Sequence, residues 1–244
     1  MLRRLTILAF CVLIDRGALA SDLERILIPV HVAARADASG SVWFSETTFV
    51  NENVSPTPID GSGVADSHIP ALMSGSLLLK PNFEGGNPGL FLYVPLEDSA
   101  KIALQTRVYR ANDIAGGIII PAVKSDEVLH KTVHLLGIPA GPQSRVRLRI
   151  YDVSGAHSGN VRVITFAGAQ RSDLIVALSA PGDFPAGSRP SVPAYAEIAL
   201  PLPPATEHMM FVDIEPLGLE QRLWAFSTTT DDNSGNVVAV LPSR

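Results

Sequence analysis

Cysteine is almost missing: Cys11 is the only one, so the chain can close no intramolecular disulfide and build no thiolate cage for a metal. Long apolar runs are missing too. The longest, "LTILAFCVLI" near the start, is well short of the ~20 residues that a membrane-spanning helix needs. Aromatic residues make up only 6% and charged residues 18% of the chain, and neither sign of charge dominates, with 19 Lys and Arg against 24 Asp and Glu. A basic excess that would recommend nucleic acid or an anionic membrane surface as partner is therefore absent. Catalytic signatures are thin as well. There is no Gly-x-Ser-x-Gly elbow and no Ser-x-x-Lys with its companion motifs. The histidines and serines could assemble a triad only through a geometry that their spacing does not announce. Adjacent carboxylates such as Asp126-Glu127 and Asp231-Asp232 would face opposite ways on a strand, a poor arrangement for acid and base work on one substrate.

What is present begins with a leader. Arg3 and Arg4 precede the apolar run, and "ALA" at Ala18 to Ala20 offers a small-residue cleavage site, the pattern of an export signal over residues 1–20. Asp15 and Arg16 interrupt that pattern and leave an uncleaved anchor as the alternative. Cleavage would remove Cys11 and leave 16 basic and 23 acidic residues, a formal charge of −7. Roughly 220 residues without disulfides must then be held by burial, and that length suffices for one large or two small cores.

Nineteen prolines and nineteen glycines leave long helices little uninterrupted room. The short β-branched runs between them favour strands. In "SRVRLRIYD", Ser144 to Asp152, Arg145, Arg147 and Arg149 alternate with Val146, Leu148 and Ile150, the period of a half-buried strand. "GNVRVITF", "DLIVALS", "YAEIALPL", "MMFVDIEP", "RLWAFSTTT" and "NVVAVLP" read as further strands, separated by "SGAHSG", "APGDFPAG" and "DDNSGN" turns. "KSDEVLHKTVHLLG" carries helical spacing with a capping residue before it and Gly137 after it, and on its own is balanced between helix and strand.

Repetition tips that balance. An apolar run closed by proline stands at "RILIPV", "GGIIIPAV" and "VVAVLPS", with Pro29 and Pro121 92 residues apart and Pro121 and Pro242 121 apart. After its proline, "EVLHKTVHLLGIPAG" falls where "SVWFSETTFVNENVS" falls after the first, so both are expected to be strands. Before the second and third prolines come a long strand and a Gly/Asp/Asn turn, predicting a hairpin with a loop of several residues, and Gly116 and Gly117 are assigned to the first such turn. The proline-closed run is expected to be an edge or terminal strand, with its proline where the strand leaves the sheet and a missing N–H costs no ladder bond. The fold expected is all-β: two tandem immunoglobulin-like antiparallel β-sandwich units, residues 21–120 and 121–244, joined without a linker.

"LWAFSTTTDDNSGNVVAVLP" resembles the recurring end of a tandem β-sandwich repeat of secreted bacterial proteins: a Trp-Ala-aromatic strand, an Asp-Asn-x-x-Gly turn and a short strand ending in proline. "TRVYRANDIAGGIIIPAV" is similar to the companion ending, and "GSVWFSETTFVNENVSPTPI" to the opening strand pair. Asn236-Val237 stands where the family often has Asp-Pro. The resemblance covers about half of the mature chain in its landmarks and implies fold and location. The family carries no assigned activity.

Candidate chemistry reduces to a few residues. His130 and His134 would share a metal on a helix but stand about 13 Å apart on a strand. Asp231, Asp232, Asn233 and Asn236 have the oxygen-rich look of a calcium loop without the EF-hand spacing, and the same residues make an ordinary turn. Trp43 and Trp224 are read as core and not as sugar platforms. Arg145, Arg147 and Arg149 are the candidate ligand-binding residues, able to track an acidic glycan or a partner's carboxylates; the alternative is a solvated face paired to acids on the next strand. The expectation is a secreted or periplasmic protein without catalytic, metal or cofactor machinery, structural or adhesive at a bacterial surface, with protein or glycan partners. A binding module on the arginine face and a metal-assisted hydrolase using His130 and His134 are the alternatives.

Overall fold

The computed structural model describes residues 22–32, 35–36, 42–61, 67–79, 89–128, 131–181, 189–202 and 208–243, so the leader read at 1–20 lies outside them. In the first half the strands are β1 (Leu23–Ile28), β2 (Arg35–Ala36), β3 (Val42–Asn51), β4 (Thr57–Pro58), β5 (His68–Ile69), β6 (Met73–Leu77), β7 (Leu90–Pro95), β8 (Ile102–Arg110), β9 (Asp113–Pro121) and β10 (Val123–Lys124). In the second they are β11 (Val133–Pro139), β12 (Ser144–Asp152), β13 (Ser158–Ala167), β14 (Gln170–Ser179), β15 (Ala194–Ala199), β16 (Met209–Pro216), β17 (Leu223–Asp231) and β18 (Val237–Val240). One α-turn, Leu96–Ser99, and one 3₁₀ turn, Ser125–Glu127, are the helical pieces among the described residues. The chain is nearly all β, in several antiparallel sheets.

The second half is one eight-stranded sheet, in the order β11-β16-β13-β14-β15-β12-β17-β18, folded over its own core. Alternation causes this. Val146, Leu148 and Ile150 of β12 point inward with Val161 and Val163 of β13, Val176 and Leu178 of β14, and Met210, Val212 and Ile214 of β16. The two ends of the sheet meet where Thr229 Oγ1 donates to the Pro139 carbonyl at 2.8 Å and Ser243 N–H to the His134 carbonyl at 3.0 Å. The first half has a three-stranded sheet, β10-β1-β7, and a second sheet, β2-β3-β8-β9, with β6 also paired to β3. "LFLYVP" of β7 is apolar without interruption because every one of its residues is buried.

A third core joins the halves. Leu27, Val30, Phe91, Tyr93, Ile120 and Val123 from the first pack on Tyr151, Val153, Trp224 and Phe226 from the second. Tyr151 is fully buried, its ring centroid 6.0 Å from that of Trp224, 6.3 Å from Tyr195 and 6.4 Å from Phe226. Its hydroxyl donates to the Pro29 carbonyl at 2.5 Å. Arg25 Nη1 donates to the Val153 carbonyl at 2.9 Å while its guanidinium lies over Phe91 and Tyr93. Phe91 N–H reaches the Ser191 carbonyl at 2.9 Å, and the Tyr93 hydroxyl the Pro190 carbonyl at 2.6 Å.

Several expectations need correction. The proline-closed run of β1 is not an edge strand, since β1 lies between β10 and β7, but Pro29 does stand just past its end, where the strand leaves the sheet. The runs of β9 and β18 are edge strands of their sheets, with Pro121 the last residue of β9 and Pro242 beyond β18. Gly116 and Gly117 are not in a hairpin loop. β8 and β9 turn over two residues, Ala111 and Asn112, since Arg110 pairs with Asp113. The glycines sit within β9, where the register shifts between Val108 and Arg110. Gly117 has φ +117°, and a Cβ there would lie 2.6 Å from the Val108 carbonyl oxygen, so backbone proximity, not turn formation, selects glycine. The second hairpin, β17-β18, does have the longer loop. In "KSDEVLHKTVHLLG" the strand starts only at Val133, after the 3₁₀ turn, and His130 lies outside the described residues. Trp224 is buried, but Trp43 is only half-buried, with the Arg110 guanidinium 4.9 Å from its ring centre.

Candidate functional site

β12 runs between β15 and β17, and the outer face of these three strands carries the arginines. Register fixes their partners. Arg149 lies directly opposite Glu197 of β15, and Arg147 opposite the next outward residue, Ala199. Glu197 therefore accepts from both, from Arg147 Nη1 at 2.8 Å and from Arg149 Nε at 2.5 Å. Arg145 Nε donates to Asp232 Oδ1 at 2.5 Å, in the loop after β17. The three guanidinium groups are thus each matched to a carboxylate, two of them to the same one. Arg145 and Arg147 remain more than half exposed, whereas the Arg149 side chain is 21% exposed.

Electrostatics follows from that gradient of burial. Burial opposes the Arg149 charge, but Tyr151 and Glu197 beside it more than compensate and hold its pKa above the ordinary arginine value. Burial would raise the Glu197 carboxyl, yet Arg149 and then Arg147 hold it below the usual range. Burial pushes the Tyr151 phenol up to about 12. The stripe therefore runs from exposed guanidinium at Arg145 to the buried aromatic cluster at Tyr151, where the first half covers the sheet face.

Other candidates are also engaged. His134 Nδ1 and Asp213 Oδ1 are 2.7 Å apart across β11 and β16. At the end of β17, Asp231 Oδ1 accepts from Ser234 N–H, Ser234 Oγ and Asn233 N–H of the following loop at 2.7, 2.9 and 3.1 Å. These bonds, those to Ser234 foremost, lower the Asp231 pKa. The carboxylate is closing a turn, and Asn233 Nδ2 donates to Gln143 Oε1. Among the described residues no three His, Cys, Asp or Glu side chains gather as a metal site, and no helix is long and apolar enough to cross a membrane.

Three groupings were not legible in the sequence. His31 Nδ1 lies 3.5 Å from Ser45 Oγ, but that hydroxyl already accepts from Val32 N–H at 2.7 Å, and burial lowers the His31 pKa. Asp152 is fully buried. Its Oδ1 accepts from Ser154 and Arg222 N–H at 2.9 and 3.4 Å, and Oδ2 has no partner. An open groove of about 200 Å³ lies beside Ile26, Ile102, Leu104, Ala122, Lys124 and Glu127, and Lys124 Nζ is directed at the Ser99 carbonyl, 2.7 Å away. Glu197, the key partner of the stripe, was visible only as one acid in "YAEIAL", because strand order and register decide what it faces. Comparison with family models, with curated proteins and with solved structures finds no match to this chain.

Proposed function

We propose that this chain is an exported, non-catalytic β-sandwich protein that serves a structural or adhesive role at the bacterial surface through protein or glycan contacts. The observation that carries this reading is the commitment of its reactive side chains to the fold: Glu197 is shared by Arg147 and Arg149, Asp232 is held by Arg145, Asp213 by His134, and Asp231 by its own loop. A catalytic constellation needs such groups held ready for a substrate. Here they are spent on register and turns.

The finer reading, two tandem immunoglobulin-like units of the repeat resembled by "LWAFSTTTDDNSGNVVAVLP", is supported by parallel endings. Two hairpins, β8-β9 late in the first half and β17-β18 at the end of the second, each have a last strand that ends in proline or is followed by one two residues on. The export reading rests on Arg3, Arg4, the apolar run and "ALA". Fractionation of the native cell and N-terminal sequencing test it: secreted or periplasmic protein beginning at Ser21 is expected, and cytoplasmic protein retaining residues 1–20 would refute it.

A second reading, a binding module on the arginine face, is favoured by the exposure of Arg145 and Arg147, 58% and 57% at the side chain. An acidic ligand would have to compete with Asp232 and Glu197 for them. Loss of glycan or cell attachment in an Arg145→Gln, Arg147→Gln, Arg149→Gln variant that still folds would favour this second reading over the first.

A further inference from the structure

Exposed sheet edges invite pairing with other chains, and this protein blunts most of those described. β11 receives Ser243 N–H at the His134 carbonyl, and β7 is met by Ser191 and by the Asp60–Tyr93 bridge. β9 ends in Pro121, carries the Gly117 irregularity and lies against β18. β2 and β10 are two residues long. β14 is different. It is ten residues long, contains no proline, and pairs with β15 at Ser179 alone. Gln170 through Ile175 are all exposed, including Leu174 and Ile175 at 52% each.

Backbone geometry shows which groups are free. Ala167 pairs with Gln170 across the two-residue turn Gly168-Ala169, where Gly168 has φ +56°. Such a turn closes on a hydrogen-bonded pair, so alternate residues from Gln170 onward bond to β13. Arg171, Asp173, Ile175 and Ala177 then turn their N–H and C=O groups to the open edge. Ser179, in the same phase, is the residue that meets β15. Among the described residues nothing pairs with that edge from Arg171 to Ala177. Leu174 continues the inward face of Val176 and Leu178, and Ile175 lies on the outer face. Docking onto either face would leave one of them in water. A strand added at the edge covers flanks of both.

We infer that β14 is a self-association edge, pairing antiparallel with β14 of a second copy of this chain about a twofold axis at Ser172. Charge selects this register. It sets Arg171 opposite Asp173 of the partner twice, on the outer face, in competition with the long contacts Asp173 makes in its own chain, 3.7 Å to Arg162 and 3.9 Å to Arg171. A shift of one residue pair along the strand sets Asp173 against Asp173 and is repelled. The twofold at Ser172 also uses the edge only as far as about Ile175, stopping short of Ser179, where β15 occupies it. The paired Ser172 residues are a non-hydrogen-bonded pair, with Cα atoms about 4.5 Å apart. That falls inside the range of roughly 4.4–6.8 Å that a disulfide spans.

The test uses the full chain carrying Cys11→Ser. Adding Ser172→Cys should give a covalent dimer under mild oxidation much faster than Ser234→Cys, a position that is also exposed, in the β17-β18 loop. Without added cysteines, sedimentation equilibrium should show a reversible dimer. Asp173→Arg should weaken it about tenfold, by replacing two attractions with two repulsions. The swap Arg171→Asp with Asp173→Arg should restore it. Equal urea midpoints among these variants show that they fold. A wild-type chain that stays monomeric at its solubility limit, equal cross-linking at 172 and 234, or a dimer indifferent to Asp173→Arg would each overturn the inference. So would an edge that captures an extended peptide while the chain remains monomeric.

Discussion

Replacing Tyr151 by Phe removes one oxygen from the centre of the molecule. Tyr151 is fully buried, and its hydroxyl is the donor to the Pro29 carbonyl, so the variant leaves that acceptor unpaired beneath the aromatic cluster. A buried group deprived of its partner costs about 1–3 kcal/mol. With a urea dependence of about 3 kcal/mol/M, the upper end for small proteins, a 2 kcal/mol loss lowers the midpoint by about 0.7 M. Tyr151→Ala would also forfeit the contacts with Trp224, Tyr195 and Phe226, for a loss of about 3–5 kcal/mol. Trp43 lies in the first half and Trp224 at the junction. Single-tryptophan variants, Trp43→Phe and Trp224→Phe, therefore read the two regions separately by fluorescence. Because Tyr151 belongs to a core built from both halves, both reporters should shift by the same amount in one transition. Two transitions, of which Tyr151→Phe moves only one, would refute the shared core.

The same residue has a pH signature. Its pKa rises from an ordinary 10.0 to about 12 in the fold, so the neutral phenol stabilises the native state below about pH 10 and that contribution disappears as pH rises to about 12. Wild-type protein should lose about 2–3 kcal/mol over that window relative to Tyr151→Phe, measured by urea titration. Glu197, whose pKa is lowered, works in the opposite sense: its stabilising effect is present above the ordinary carboxyl range and fades as pH falls through its depressed value. The triple Arg145, Arg147, Arg149→Gln variant should fold, lose about 1–2 kcal/mol at neutral pH, and approach the wild type in acid. Ile120 is 1% exposed and Ile119 55%, so Ile120→Asp should cost several kcal/mol and Ile119→Asp little, by thermal melting. Limited proteolysis should spare residues 118–124, where β9 and β10 are tied into two sheets, and cut first in the Pro/Gly-rich stretch at 180–193.

Local alternation in this sequence carries most of the strand content. "SRVRLRIYD" announces β12 and its two faces, and six more runs correspond to β13 through β18. Pairing is what alternation leaves open. Nothing in "YAEIAL" says that Glu197 will lie beside two arginines, since β15 reaches β12 through a long-range register. The glycines of "GGIIIPAV" read equally well as turn or as bulge until the two-residue turn at Ala111-Asn112 is known. The junction was hidden for a related reason. Tyr151 continues the phase of Arg145, Arg147 and Arg149, a polar face by pattern, yet it is buried because the first half covers that end of the sheet. Only the fold distinguishes a solvent-facing stripe from one that runs under a neighbour.

The contact role is tested most directly by cross-linking the protein in its native envelope with a short-range reagent and identifying what it holds. The account predicts Ser21-started protein joined to surface protein or glycan, with attachment that survives removal of any single His, Asp or Glu discussed above. Recovery of the chain from the cytoplasm, or of a small substrate that it converts with loss of turnover on replacing His134 or Asp213, would contradict it.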